Sequence, residues 1–207
     1  MNGVITDDEE IHEFATKRVF KEIGVDITSD IYRKYCLGRT DISAFKDLFE
    51  IFKVKNQDLE SLIADKSLIY QDLIRGNLKV YPGVISLIKN LYQYYTLALT
   101  SSSTFEEVHT VVNKLGIANL FQVIVTSRDV KHGKPHPEPY FLTAKELNVR
   151  CEECLVIEDS GNGVLAAKSA GMKCVAIPNT EIRANLVKAD QIIETYSSLT
   201  NTFIRNI

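Results

Sequence analysis

The stretch that decides the fold lies at residues 155–163 and reads Leu155-Val156-Ile157-Glu158-Asp159-Ser160-Gly161-Asn162-Gly163. Its three apolar residues are typical of a short buried strand, and the turn residues after the acidic pair lead into a predicted helix. In a parallel sheet, ligand-binding residues follow the C-terminal ends of the strands. Two adjacent carboxylates there favour a hard cation such as Mg²⁺. We therefore predict a metal site at Glu158 and Asp159; a solvated acidic turn is the alternative, which the preceding apolar run disfavours.

Short apolar runs like this one recur along the C-terminal part of the chain. Between them lie amphipathic stretches with helical spacing, among them residues 138–148 and 162–170. Strands and helices that alternate at this pace imply an α/β fold, with a Rossmann-like parallel sheet and helices on both faces. The predicted strands span residues 96–100, 123–126, 154–157, 174–177 and 191–193.

An almost wholly helical segment precedes the first of these strands. Its apolar residues recur at helical spacing, as in Ile11, Phe14, Ala15 and Val19. Because the segment lies between residue 7 and the first clear strand, we predict that it is an insertion. Residues 1–7 and 78–207 are then the α/β core, and residues 8–77 are an α-helical domain.

Three serines follow the first predicted strand: Ser101, Ser102 and Ser103. Ser103 and Glu106 have the spacing of a capping box at the start of a helix, so hydroxyls and free backbone N–H groups are expected to converge there. Helix N-termini favour phosphate, which makes this loop a candidate anion site. The alternative is a merely polar cap, because serine is common at helix starts. Asp41 is likewise a predicted cap, for a helix within the insertion.

A lysine in a stiff loop follows the strand that ends at Thr126. The loop reads Lys131-His132-Gly133-Lys134-Pro135-His136-Pro137-Glu138. A lone loop lysine is usually solvated. One that is fixed by rigid backbone near other strand ends can instead neutralise a phosphate or a carboxylate. Lys134 is therefore a candidate for binding an anionic group.

The composition indicates an ordinary globular protein. The chain has 207 residues, 24 Lys plus Arg, 27 Asp plus Glu and a net charge of -3, and its four cysteines are too few for a disulfide scaffold. The mild acidity and the lack of a Lys/Arg-rich stripe argue against nucleic acid or a membrane surface as the main partner. The sequence shows neither a spanning helix nor a signal peptide. We expect a cytoplasmic monomer.

In this order, the residues resemble the four motifs of the haloacid dehalogenase superfamily, and within it the branch of β-phosphoglucomutase and the sugar-phosphate phosphatases with a helical cap. The sequence Gly3-Val4-Ile5-Thr6-Asp7 resembles the end of the first motif, Asp-x-Asp-Gly-Val. Ser101 matches the second motif, Lys134 the third, and Glu158-Asp159-Ser160 the fourth. The resemblance covers the whole chain, and four motifs in order are specific although a single one is not.

The resemblance implies phosphoryl transfer assisted by Mg²⁺ on a small phosphorylated metabolite, such as a sugar phosphate. Ser101 would bind the phosphoryl oxygens, Lys134 would steady the nucleophile and the transferring group, and Glu158 with Asp159 would hold the metal. The insertion would be a cap that closes over the substrate and excludes water. Further candidates for substrate binding are His12, Arg39, Ser102, Ser103 and Asn162, although a solvated arginine and a helix-surface histidine are the commoner explanations for the first two.

The first motif departs from the family pattern at two positions. Asn2 stands where the family has the aspartate that protonates the leaving group and then activates water, and the nucleophilic aspartate would lie one residue upstream of Met1. An amide cannot exchange protons as a carboxyl group does, and such a loss typically costs about 10²- to 10⁴-fold in rate. Without the nucleophile the covalent route is absent.

Two explanations remain open. The chain is a truncated version of a longer protein that begins with an apolar strand and an aspartate, or it is a non-catalytic relative that binds phosphorylated ligands. We favour truncation, because deletion of a central strand leaves two strand edges unpaired in the middle of a sheet. Dehalogenation of a small haloacid is less expected, since it needs the same aspartate but not the acidic metal pair.

Overall fold

Five short parallel strands lie at the centre of the protein, in a computed structural model that describes residues 1–76 and 78–207. Strand β1 pairs with β2, β3 pairs with β4, and β4 pairs with β5, in each case in parallel. The strands span Ala98–Thr100 (β1), Val123–Val125 (β2), Leu155–Glu158 (β3), Lys173–Ala176 (β4) and Gln191–Ile192 (β5). The parallel pairing confirms the predicted α/β class.

Helices cover both faces of these strands, and none of the described helices is both long and apolar enough to cross a bilayer. Alternate strand residues face opposite sides. Ile157 and Val175 pack with α5 and α6, whereas Val156 and Ala176 pack with α7 and α8. The helices span Glu9–Glu22 (α1), Ser29–Tyr35 (α2), Asp41–Ile51 (α3), Leu59–Gly76 (α4), Val84–Leu91 (α5), Phe105–Lys114 (α6), Glu138–Leu147 (α7), Gly161–Ser169 (α8) and Asn201–Arg205 (α9).

Helices α1 to α4 have a hydrophobic cluster of their own. Phe20 of α1 is fully buried against Phe45 of α3, with ring centroids 4.8 Å apart in an edge-on arrangement. Phe14 was expected on the same apolar face, but this is wrong, because it points outward and is 51% exposed. The division of the chain into a core and a cap stays a prediction, and its boundary at residue 77 lies outside the described residues.

Two predicted helix caps are wrong by one residue. The capping box of α6 is formed by Thr104, whose hydroxyl accepts from the N–H of Glu107 at 3.3 Å, and not by Ser103 with Glu106. Helix α3 is capped by Thr40, and not by Asp41. In both cases the expected residue is engaged elsewhere: the Ser103 hydroxyl donates to Asn2, and the Asp41 carboxylate accepts from Lys66.

An apolar groove of about 560 Å³ separates β1 from β3. Both strands line it, together with residues of α5, and within the described residues no strand pairs with either facing edge. The chain from Met1 to Thr6 forms a tight turn at the end of the groove, where the Met1 carbonyl accepts from the Ile5 N–H at 2.6 Å. Among the described strands, the facing edges of β1 and β3 are therefore unpaired.

Candidate active site

The ends of β1 and β3 converge with the N-terminal turn on a small polar cleft of about 70 Å³. The parallel strands place their following loops at one edge, which is why residues distant in the sequence meet there. Of the ten predicted site residues, all but Asn162 line the cleft. These nine are Asn2, His12, Arg39, Ser101, Ser102, Ser103, Lys134, Glu158 and Asp159.

The buried pair of Lys134 and Glu158 forms one wall of the cleft. The lysine ammonium donates to Oε1 of Glu158, and the Tyr140 hydroxyl donates to the same oxygen at 2.6 Å. Oε2 accepts from the N–H of Asp159 at 3.1 Å and from the hydroxyl of Ser160 at 3.2 Å. Burial alone would raise the pKa of Glu158, but the charge and hydrogen bond of Lys134 lower it to about 2. Glu158 is therefore ionised, and both of its oxygens are engaged.

The carboxylate of Asp159 beside it accepts fewer hydrogen bonds than that of Glu158. Its Oδ2 accepts from the Thr180 hydroxyl, while Oδ1 receives no hydrogen bond from the described residues. Burial, and then the charge of Glu158, raise the pKa of Asp159 to about 7. Gly3, at φ 73°, packs so closely that a Cβ there would overlap the Asp159 carboxylate. A buried carboxylate with an unused oxygen and an uncompensated charge is the donor that a hard cation suits.

Asn2 lies across the cleft, where its side chain meets three polar groups. Nδ2 donates to Oδ2 of Asp8 at 3.0 Å and lies 2.7 Å from Nε2 of His12, and Oδ1 accepts from the Ser103 hydroxyl at 2.7 Å. Asp8 is buried behind Asn2 and does not line the cleft. Burial raises the pKa of Asp8.

The contact between Asn2 and His12 depends on which histidine nitrogen carries the proton. The Lys66 ammonium lies 2.9 Å from Nδ1 of His12 and also donates to Asp41 at 2.9 Å and to Glu107 at 3.1 Å. Burial, and then Lys66, lower the pKa of His12 well below its usual range, so the ring is neutral. Nδ1 then accepts from Lys66 and Nε2 carries the proton. The Nε2–H of His12 therefore requires a hydrogen-bond acceptor at position 2. A carboxylate provides one in either orientation, whereas an amide provides one only through its oxygen, and here the amide nitrogen lies next to Nε2.

The remaining candidates divide between the cleft and the contact with α1 to α4. Ser101 is buried, and its hydroxyl accepts from the N–H of Ser103 at 3.2 Å. The Ser102 hydroxyl donates to the Gly38 carbonyl at 3.3 Å, and the Asn162 amide donates to the Leu37 carbonyl at 3.1 Å. These two bonds join the loop after β1 and the first turn of α8 to the helical segment.

Arg39 lines the cleft from the helical segment. Its guanidinium donates to Asp47 at 2.7 Å and to the Tyr35 carbonyl at 3.1 Å. Both bonds hold the guanidinium against the helical segment. Arg39 therefore lines the cleft with a guanidinium that is already paired with Asp47.

Several cleft residues escaped the sequence analysis. Glu9 accepts from the Tyr32 hydroxyl at 2.6 Å, and burial raises the pKa of Glu9 to about 7. Lys66 could have been found, because it interrupts the apolar face of α4 between Leu62 and Tyr70, where a charge needs a buried partner. Nothing in the local sequence marks Glu9 or Tyr32.

Comparison with known proteins gives a consistent result. The family model described as haloacid dehalogenase-like hydrolase matches residues 1–177. The chain is 34% identical to the putative phosphatase YhcW of Bacillus subtilis, over 86% of this chain and 80% of that protein. It is 33% identical to the phosphorylated carbohydrates phosphatase of Thermotoga maritima, over 84% of this chain and 80% of that protein. The crystal structure of a β-phosphoglucomutase from Clostridium difficile superposes with a TM-score of 0.87 at 27% identity, over 99% of this chain and 92% of that one.

Proposed function

The chain belongs to the haloacid dehalogenase-like hydrolase family. We propose that it has the phosphatase or phosphomutase scaffold of that family and that its substrate is a small phosphorylated metabolite of the sugar-phosphate class. The observation that carries this proposal is the convergence of Ser101, Lys134 and Asp159 with position 2 in one cleft. Two relatives support the substrate class, the carbohydrate phosphatase of Thermotoga maritima and the fructose-1-phosphate phosphatase YqaB of Escherichia coli, which is 25% identical.

The cleft binds a phosphoryl group through donors on two sides. The Ser101 hydroxyl lies near the N-terminus of α6, and Lys134 faces it as a buried cation. A transferring phosphoryl group spreads negative charge over its oxygens, and fixed donors and cations stabilise that charge. Because Glu158 anchors the ammonium, Lys134 needs little rearrangement to meet the phosphoryl oxygens.

The residues present fit the Mg²⁺ ion that the family implies. Asp159 would hold it through its unused oxygen, while Glu158 contributes charge next to it and keeps Lys134 in place. When bound, the ion would screen the phosphoryl charge. Thr180 orients the Asp159 carboxylate, and Gly3 leaves room for it.

Turnover by the route that the resemblance implies requires a nucleophilic aspartate and an acid at position 2, and position 2 is an asparagine. Asp7 is exposed and lies outside the cleft, and Asp8 is buried behind Asn2. We therefore propose that the active form carries an apolar strand joined to Met1, which fills the groove between β1 and β3 and ends in an aspartate. The groove supports this, since a strand there would pair with both free edges.

A specific observation favours a second candidate, a protein that binds phosphorylated ligands without turnover. Asn2 donates to Asp8 and accepts from Ser103, so two of its three polar contacts suit an amide where the family has an acid. The phosphate-binding residues Ser101 and Lys134 do not depend on position 2. Such a protein would keep its affinity for phosphate and lack hydrolysis.

The sequence supports two further parts of the proposal, a monomeric state and a cytoplasmic location. Closure of the helical segment over the cleft is also proposed. The small cleft, and the bonds from Ser102 and Asn162 to that segment, support it, because a sugar phosphate needs the segment to open first.

Two matched chains test the function. Both carry the same apolar strand directly before Met1, and it ends in aspartate in one and in asparagine in the other. We expect Mg²⁺-dependent phosphate release from p-nitrophenyl phosphate with the aspartate chain alone, and none above background from the chain without the strand. If both extended chains gain stability and bind phosphate but neither turns over, the binding protein is the correct function. Robust, chelator-sensitive turnover by the chain without the strand would contradict the proposed nucleophile.

A further inference from the structure

The loop that carries Lys134 also holds a cluster of three potential metal ligands outside the cleft. They are His132, His136 and Glu138, each of which offers one ligand atom, and these three atoms lie within 4.8 Å of one another. None of them lines the cleft. The two imidazole rings lie 4.7 Å apart between centroids, with their planes tilted by 38°. Two of the four histidines in the chain are thus placed beside a carboxylate on one short loop.

Hydrogen bonds from the backbone fix the carboxylate of Glu138 and favour its ionised form. It accepts from the backbone N–H of Lys131 at 2.7 Å and from that of His132 at 3.1 Å. The Lys131 N–H, and then the side chain of His132, lower the pKa of Glu138. The local fold therefore fixes the ligand with the negative charge.

The spacing of the donor atoms suits a small tetrahedral ion. Nδ1 of His132 lies 2.8 Å from Oε2 of Glu138, and Nδ1 of His136 lies 3.9 Å from the same oxygen. Zinc–ligand bonds of about 2.0–2.1 Å place neighbouring donors about 3.4 Å apart, between these two values. The rings are 64% and 51% exposed, so they can rotate to meet an ion.

We propose that His132, His136 and Glu138 form a second metal site, which binds Zn²⁺ or a similar borderline transition metal and leaves its remaining position to water. Imidazole with one carboxylate selects such ions over Mg²⁺, which prefers oxygen donors. The ligands lie on both sides of Lys134 in the sequence. A bound ion would therefore clamp the loop and restrict the motion of Lys134, which links the surface site to the cleft.

The test is a titration of the untagged chain with ZnCl₂ alone, followed by calorimetry and by the melting temperature. Cys151 and Cys154 are partly exposed and could also bind zinc, so the experiment uses a Cys151→Ser/Cys154→Ser background. We expect binding of one ion and a rise in melting temperature, because a ligand specific for the folded state stabilises it. His132→Ala and His136→Ala should each weaken binding by about 10²-fold or more, by comparison with the loss when a supporting residue of a metal site is removed.

His109→Ala is the matched control, since His109 lies on α6 and its ring packs against Phe105 at a tilt, and it is not one of the three proposed ligands. It should leave zinc affinity unchanged. Co²⁺ gives a second readout: the tetrahedral absorption bands should appear without a thiolate charge-transfer band, and they should vanish in His136→Ala. Loss of all binding in the cysteine background, or equal affinity in the His132, His136 and His109 variants, would overturn the proposal. Because no step uses phosphate turnover, the result is independent of the proposed function.

Discussion

The two sides of the cleft, the end of β3 and the N-terminal turn, differ in how completely their polar groups are paired. At the end of β3, both oxygens of Glu158 are engaged and Lys134 is fixed as a cation. At the turn, His12 requires an acceptor, whereas Asn2 brings an amide. Behind the turn lies a groove of about 560 Å³ between two strand edges with which no described strand pairs.

This difference separates the residues proposed to bind phosphate and metal from those proposed to carry out catalysis. In the proposed function, the phosphate and metal side needs only the loops that follow β1 and β3, and these are among the described residues. The catalytic side would depend on the proposed strand before Met1, because that strand would carry the nucleophile and support residue 2. The two sides can therefore be tested separately.

The largest effect is expected at the deficient side. In the chain extended by the strand that ends in aspartate, Asn2→Asp should raise sugar-phosphate hydrolysis by about 10²- to 10⁴-fold, because a sugar alkoxide needs a proton. The gain on p-nitrophenyl phosphate should be smaller, because its leaving group is a weak base. Steady-state kinetics on both substrates measures the difference. Equal gains would show that position 2 acts through metal geometry or folding.

A second substitution, at Asp8, tests whether residue 2 acts as the acid. Asp8 Oδ2 lies 3.0 Å from the Asn2 side chain, so Asn2→Asp places two carboxyl groups in contact and raises one of their pKa values. Adding Asp8→Asn to the Asn2→Asp chain should shift the acid–base limb of the pH–rate profile to lower pH. An unchanged profile would mean that the two groups do not interact during the reaction.

A smaller effect, on stability, is expected at the intact side. Lys134→Met leaves Glu158 buried without its cation and should destabilise the fold by about 3–5 kcal/mol in urea denaturation. It should also remove the rise in melting temperature caused by phosphate with Mg²⁺. Lys131→Met, three residues away and exposed, is the control and should keep both properties. If the two variants behave alike, Lys134 does not bind phosphate.

Metal-free protein should show opposite pH effects of the two acidic neighbours. The pKa of Glu158 is lowered to about 2, so its contribution to stability is present above the unfolded pKa near 4.5 and is lost as pH falls towards 2. The pKa of Asp159 is raised to about 7, so the folded state holds an extra proton and loses stability as pH rises from about 4 to 7. Asp159→Asn should therefore stabilise the chelated protein at pH 8 by on the order of 1–3 kcal/mol, and much less at pH 4. A gain that is the same at both pH values would contradict the raised pKa.

The smallest effect tests the corrected cap of α6. Thr104→Ala removes the hydroxyl that accepts from Glu107 and should cost about 1 kcal/mol. Ser103→Ala removes only the bond to Asn2 and should cost less. Thermal or urea unfolding of the two variants, side by side, distinguishes them. A larger loss for Ser103→Ala would restore the cap that the sequence suggested.

The sequence by itself determined the α/β class, the position of the five described strands and nine of the residues that line the cleft. These are local signals: a short apolar run such as Leu155-Val156-Ile157 ends in turn residues, and parallel strands present such turns at one edge. Ser101, Lys134 and Asp159 could be found for this reason without any knowledge of their contacts. The cap of α6 was harder to place, because Ser103 and Thr104 are adjacent and either residue type can cap a helix.

Only the tertiary structure decided which polar groups are engaged and which are free. Lys66 meets His12 from 54 residues away and Glu107 from 41 residues away, so no local pattern pairs them. Tyr140 and Ser160 complete the bonds of Glu158, which leaves Asp159 as the carboxylate with an unused oxygen. Burial and long-range hydrogen bonds set these charges, and both arise only when the chain is folded.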